Sequence, residues 1–118
     1  MIQFRTRRFE KSKVSYYCWV LVNGTKVGNA LVLRVGGQRN LYNFNILPEY
    51  RNRGYATAFM EKIIEHNGKL NTLYAKSCDL ENGLSTKQLV KFYRKFGFKI
   101  VNTTHPYGIL MSRTVINR

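Results

Sequence analysis

Apolar and aromatic positions change their spacing along the chain, and each change marks an element. SYYCWVLV (15–22) is dense in aromatic and β-branched residues, NGTKVG supplies turn chemistry, and NALVLRV (29–35) continues as a second strand. Together they read as a hairpin. Gly36 and Gly37 mark the next turn. NLYNFNIL (40–47) then alternates Leu41, Asn43 and Asn45 against Tyr42, Phe44 and Ile46, the period of a third strand. From Ala56 the period lengthens. Ala56, Phe59, Met60, Ile63 and Ile64 follow the i, i+3, i+4, i+7, i+8 stripe of a helix buried on one side, ending at Asn67-Gly68. NTLYAKSC (71–78) returns to strand. Ser85 with Gln88 three residues on forms a capping box that opens a second helix, with Leu89, Phe92, Tyr93 and Phe96 inward and Gly97 closing it. FKIV (98–101) and YGILMSR (107–113) complete the chain as short strands, and the first fourteen residues are left as a variable N-terminal piece.

The predicted order is β, β, β, α, β, α, β, β. A helix between two strands calls for a crossover, so strands 40–47 and 71–78 are expected to run parallel while the hairpins make the rest antiparallel. That is an α+β fold: a mixed central β-sheet with two main helices packed on it. No internal repeat, linker or low-complexity block interrupts the sequence, and residues 1–118 are expected to form a single domain.

Composition narrows the function. With 44% hydrophobic residues, eight tyrosines, seven phenylalanines and only two prolines, the chain has the makings of a core. No apolar run approaches the roughly 20 residues of a membrane span, and MIQFRTRRFEKSK lacks a signal peptide's apolar centre, so the expectation is a soluble, cytoplasmic protein with no membrane partner. Cys18 and Cys78 form no CxxC pair and have no histidine cluster beside them, which argues against a structural metal or a disulfide scaffold. Charge is the outlier. Twenty Lys and Arg against six Asp and Glu give +14, spread from Arg5 to Arg118, which points to a polyanionic partner.

The chemistry concentrates at LPEYRNRGYA (47–56). A strand that stops at Pro48, turns through RNRG and starts a helix near Ala56 leaves that helix's first amides unpaired and pointing outward. An anion fits there. Gly54 lets the backbone pass close to a ligand, Ala56 keeps the helix start small, and Arg51 and Arg53 add positive charge.

Here the sequence resembles the GCN5-related N-acetyltransferase (GNAT) family, whose acetyl-CoA pyrophosphate loop reads Q/RxxGxG/A between a strand and a helix. The matching residues are Arg51, Asn52, Arg53, Gly54, Tyr55 and Ala56. A second signature of the family, YxxxGF on its last helix, matches Tyr93 to Phe98, and the resemblance covers roughly residues 15–113. It implies a minimal GNAT fold with a shortened N-terminal region, acetyl-CoA as cofactor, and pantetheine held by backbone amides near Ile46 and Leu47. It further implies direct attack of an amine in a ternary complex, with Tyr93 as the acid that protonates the departing thiolate. Three departures stand beside it. Only about fourteen residues precede the hairpin where the family usually has a strand and two helices, so the lid over the acceptor is reduced; a second chain, as in a homodimer, is one way to supply it. The asparagine often found seven residues before the tyrosine is Thr86. LYNFNI carries no glutamate to serve as general base.

The missing base bears on the acceptor. A lysine ammonium, with pKa about 10.4, is almost wholly protonated at neutral pH, whereas an α-amine near 7.7–8.0 is already partly neutral. Asp79 and His66 remain as alternative bases, each equally readable as a turn or surface residue. Charge adds that the acceptor sits on a polyanion: an aminoacyl-tRNA α-amine ranks first, an amine on a nucleic-acid-binding or ribosomal protein second, a small-molecule amine third. Lys87, Lys91 and Lys95, with Arg94, follow helical spacing and are expected to form a substrate-binding stripe, and Arg5, Arg7, Arg8, Lys11 and Lys13 crowd the N-terminal segment. The alternative function is a GNAT-fold module, weak or inactive in catalysis, that binds nucleic acid or a protein.

Overall fold

The computed structural model describes residues 2–8, 15–35, 38–66, 70–75, 85–104, 106 and 108–115. The chain forms two compact units, residues 1–70 and 71–118.

The first unit is a meander of four antiparallel strands, β1 (Ile2–Arg8), β2 (Tyr16–Val22), β3 (Thr25–Val35) and β4 (Gln38–Ile46), followed by a 3-10 turn (Pro48–Tyr50) and helix α1 (Tyr55–His66). The hairpin between β2 and β3 closes through Asn23 and Gly24, both at positive φ (50° and 83°), the two-residue turn that Asn-Gly favours. β1 corrects the reading of the N-terminal segment as a variable piece. Its pairing runs from Ile2↔Val22 to Arg8↔Tyr16, and Ile2 and Phe4 are half-buried while Gln3 and Arg5 are exposed. The period-two pattern is present, carried by only two apolar residues among three arginines.

One face of this meander is the core. Tyr16, Cys18 and Val20 of β2, Ala30 and Val32 of β3, and Leu41 and Ile46 of β4 are buried, as are Phe59, Met60 and Ile63 of α1. The Phe59 ring lies 6.1 Å from Phe4 and 5.2 Å from Phe44. Burying each of these large side chains contributes about 1.5–3 kcal/mol, which is what holds the amphipathic helix. Ala56 and Ile64, the outer members of the expected stripe, are only half-buried.

The second unit holds β5 (Leu70–Ala75) from Asn71 onward, α2 (Thr86–Arg94), β6 (Lys99–Asn102) and β7 (Ile109–Ser112), with β7 pairing antiparallel to both β5 and β6. The inward positions of α2 are Val90 and Tyr93; Leu89, Phe92 and Phe96 are half-buried. Of the expected inward set Tyr93 is buried, while Leu89, Phe92 and Phe96 form only the flanks of the stripe and Val90 takes the other central place. The end of strand 71–78, the glycines at 36–37 and Asn67-Gly68 lie outside the described residues.

Candidate functional site

The strand leading to α1 is not regular. Asn29 pairs with Asn45 and Leu31 with Tyr42, so one residue of β3, Ala30, faces two of β4, Asn43 and Phe44. Asn43 sits at φ +54°, the left-handed region that asparagine tolerates better than most residues. This bulge puts Leu41 and Ile46, five positions apart, on the same buried face. Beyond it, Gly28 stands opposite Ile46, and a Cβ at Gly28 would lie 2.5 Å from Ile46 Cδ1 and 2.8 Å from the Asn45 carbonyl oxygen. A glycine is required for β3 and β4 to approach this closely.

The two residues expected to grip pantetheine differ. The Leu47 N–H donates to the Val27 carbonyl at 2.8 Å, so that amide is used inside the sheet. A residue's own N–H and C=O point to the same side of a strand and neighbouring residues alternate, so those of Ile46 point away from β3. The Ile46 carbonyl accepts from Arg51 Nε at 2.8 Å. Arg51 therefore ties the strand end to the turn that follows it, a structural duty beyond the charge foreseen for it.

The turn itself has Asn52 at φ +62° and Gly54 at φ +83°. A Cβ at Gly54 would meet nothing within 4 Å; the backbone conformation calls for the glycine, and the space over it is open. The first backbone bond of the helix runs from the Ala58 N–H to the Gly54 carbonyl at 3.1 Å. The amides of Tyr55, Ala56 and Thr57 precede that bond, glycine offers no capping side chain, and the first turn holds no acidic residue. Arg53 is exposed, its guanidinium 5.7 Å from the Tyr50 ring centroid. Outward amides, the positive end of the helix dipole and a cation at an open turn make a place for a phosphate.

The second motif lies on α2. Tyr93 is 5% exposed, with Phe92 at 5.4 Å and Phe98 at 6.3 Å between ring centroids. After it the chain tightens, the Phe96 N–H donating to the Tyr93 carbonyl (3.0 Å) and the Gly97 N–H to the Arg94 carbonyl (3.1 Å). YxxxGF is thus a helix end that clamps the tyrosine between aromatic rings. Lys87, Lys91, Arg94 and Lys95 are exposed, with Lys95 Nζ 5.9 Å from the Phe92 ring. Of the alternative bases, His66 is at the end of α1 with its ring 5.1 Å from Tyr16 and 5.7 Å from Phe4, while Asp79 lies outside the described residues. Burial pushes the Cys18 thiol up to about 12, so it stays protonated and inert in the core. Cys78, Lys11 and Lys13 are not among the described residues. Among those residues, no helix is long and apolar enough to cross a membrane.

A family model described as an acetyltransferase (GNAT) domain matches residues 14–100. The chain belongs to the GNAT family. It is 31% identical over 106 residues to "Probable N-acetyltransferase san" of Drosophila melanogaster, an alignment covering 83% of this chain and 52% of that protein. It thus spans about half the length of that relative. The fold is also that of GNAT proteins of known structure. The ribosomal-protein-S18-alanine N-acetyltransferase of Escherichia coli superposes with a TM-score of 0.73 at 14% identity, covering 100% of this chain and 96% of the other. Arabidopsis thaliana Naa50, solved in complex with the bisubstrate analogue CoA-Ac-MVNAL, superposes at 0.59 with 19% identity, covering 83% and 72%. The α+β class expected from the hydrophobic pattern is therefore the class observed.

Three features of this GNAT chain escaped the sequence reading. The bulge at Asn43 was visible only as an anomaly, since strict alternation puts Leu41 and Ile46 on opposite faces. Val27, which takes the Leu47 amide, and Gly28, which lets β4 come close, were read as part of the NGTKVG turn, whereas β3 already begins at Thr25.

Proposed function

We propose that this chain is an acetyl-CoA-dependent N-acetyltransferase acting as one domain over residues 1–118, in which an acceptor α-amine attacks directly with both substrates bound. The observation that carries the reading is the start of α1: outward amides at Tyr55, Ala56 and Thr57, an open Gly54 at positive φ, and Arg53 beside them. These residues suit a pyrophosphate. Acetyl-CoA supplies the acetyl group as a thioester. On this reading the Gly54–Thr57 backbone holds the diphosphate, with Asn52 and Arg53 at its rim. Arg51 keeps the turn on the strand end, and the Ile46 N–H is the pantetheine contact. Tyr93 Oη holds the proton that the leaving sulfur takes, a role worth roughly 10²–10⁴ in rate.

An α-amine acceptor suits a chain whose β4 carries no glutamate to act as base, because such an amine is already partly neutral near pH 7. The names of the structural neighbours, an alanine N-acetyltransferase for a ribosomal protein and a complex with a peptide-bearing analogue, favour a protein N-terminus over the aminoacyl-tRNA ranked first on charge. The exposed lysines 87, 91 and 95 would then attract an acidic or nucleic-acid-bound acceptor. Radiolabelled acetyl-CoA offered with a peptide of free N-terminus, aminoacyl-tRNA and spermidine in parallel tests this. Label should enter the peptide, and Tyr93→Phe should lower turnover at least roughly tenfold while acetyl-CoA affinity stays within about threefold. Label on none of the three acceptors would remove the enzymatic reading and leave a binding module.

A further inference from the structure

We infer that the open face of the β1–β4 meander is a binding platform for single-stranded RNA. The core-facing side carries α1. On the opposite side the strand register aligns two rows of side chains across four strands: Arg5, Trp19, Asn29 and Asn45, then Arg7, Tyr17, Leu31 and Tyr42. Tyr17 is 49% exposed, Trp19 and Tyr42 are half-buried, and Arg5, Arg7, Asn29 and Asn45 are exposed. A shallow cavity of about 480 Å³ opens between the rows, lined among others by Arg7, Tyr17, Trp19, Lys26 and Asn29. Lys26 Nζ stands 5.7 Å from the Trp19 ring centroid.

Charge selects the occupant. None of the four strands contains an Asp or Glu, whereas this face carries Arg5, Arg7 and Lys26; Arg8, Arg34 and Arg39 fall in the register of the core-facing rows. An apolar helix from another protein would leave Arg5, Arg7 and Lys26 facing it without counter-charges, a costly burial. A polyanion with flat apolar groups uses both features: phosphates neutralise the cations, and unstacked bases lie on Tyr17 and Trp19. The asparagine pair, in which Asn45 Nδ2 donates to Asn29 Oδ1, offers amide groups suited to base edges and 2′-hydroxyls. Duplexes keep their bases stacked inside, so the single strand fits this surface. The inference is independent of acetyl transfer and is tested without acetyl-CoA.

Trp19 is the single tryptophan, so its fluorescence reports the platform directly. The full chain is titrated with a 12-nucleotide oligouridylate, following Trp19 emission and, with a labelled strand, anisotropy at 50 and 200 mM salt. Binding should quench Trp19. Replacing Tyr17 and Trp19 together by Ala should weaken affinity at least tenfold, since base–aromatic stacking is worth about 1–3 kcal/mol per base. Trp19→Phe, which keeps a stacking ring and safeguards the test should the double variant unfold, should remain within about threefold. Arg5→Ala with Arg7→Ala should flatten the dependence of log affinity on log salt by about 0.7 per lost phosphate contact. Lys62→Ala, a surface lysine 4.0 Å from Glu65 on α1, should change affinity less than about twofold. Oligodeoxyuridylate should bind more weakly than the RNA. Anisotropy without quenching, equal affinity of the DNA strand, or equal competition by a polyglutamate peptide would each overturn the RNA platform, the last in favour of an acidic protein segment.

Discussion

The two helices begin in opposite ways. At α2, Ser85 Oγ accepts from the Gln88 N–H at 3.1 Å and Gln88 Oε1 accepts from the Ser85 N–H at 2.8 Å, so the chain's own side chains satisfy the helix start. At α1 the residue in that place is Gly54, which has no side chain to give, and the nearby charged residues are arginines, which the positive end of a helix dipole disfavours. A helix start optimised for stability alone would resemble α2. The departures at α1 fall together on one turn, along with two residues at positive φ, and together they suit an external anion. The comparison teaches that a capping deficit becomes a functional signal when the backbone and the local charge are also arranged around it.

Substitutions can break this contrast from either side. The largest effect is expected from Gly54→Val, which places a branched side chain at φ +83° and fills the open space over the turn. Acetyl-CoA affinity by calorimetry should fall at least a hundredfold, with a stability loss of about 1–3 kcal/mol in urea unfolding from the backbone strain. Ser85→Ala should do the reverse. It removes the cap of α2, costing about 0.5–2 kcal/mol of stability, and leaves acetyl-CoA affinity within about twofold. Arg53→Ala should have the smallest effect. Loss of an exposed cation near the turn should weaken acetyl-CoA by about two- to fivefold, with the deficit shrinking as salt rises from 50 to 300 mM. If Ser85→Ala instead weakened the cofactor as much as Gly54→Val, the two starts would not differ in function.

Much of this contrast was legible in the sequence, for a physical reason. Capping boxes and glycine turns are local: Ser85 and Gln88 need only each other, and Gly54 announces its backbone through its residue type. The α1 stripe was equally plain at Phe59, Met60 and Ile63, because helical periodicity is set within one element. What failed to show depended on strand partners. The bulge at Asn43 exists because β4 must match β3, and the Leu47 amide is engaged because Val27 lies opposite it. β1 was missed since its inward face is made by Ile2 and Phe4 alone, and the three arginines that follow them dominate the composition. Non-local pairing, unlike capping, leaves no signature at the residue that depends on it.

The most direct test of the central claim follows the backbone amides of both helix starts by nuclear magnetic resonance while ADP, a diphosphate probe, is titrated into the full chain. The account predicts progressive shifts at Gly54, Tyr55, Ala56 and Thr57, with the Ser85 and Gln88 amides, already bonded within their capping box, nearly unmoved. Equal shifts at both starts, or none at Gly54 to Thr57 while the diphosphate binds elsewhere, would contradict it.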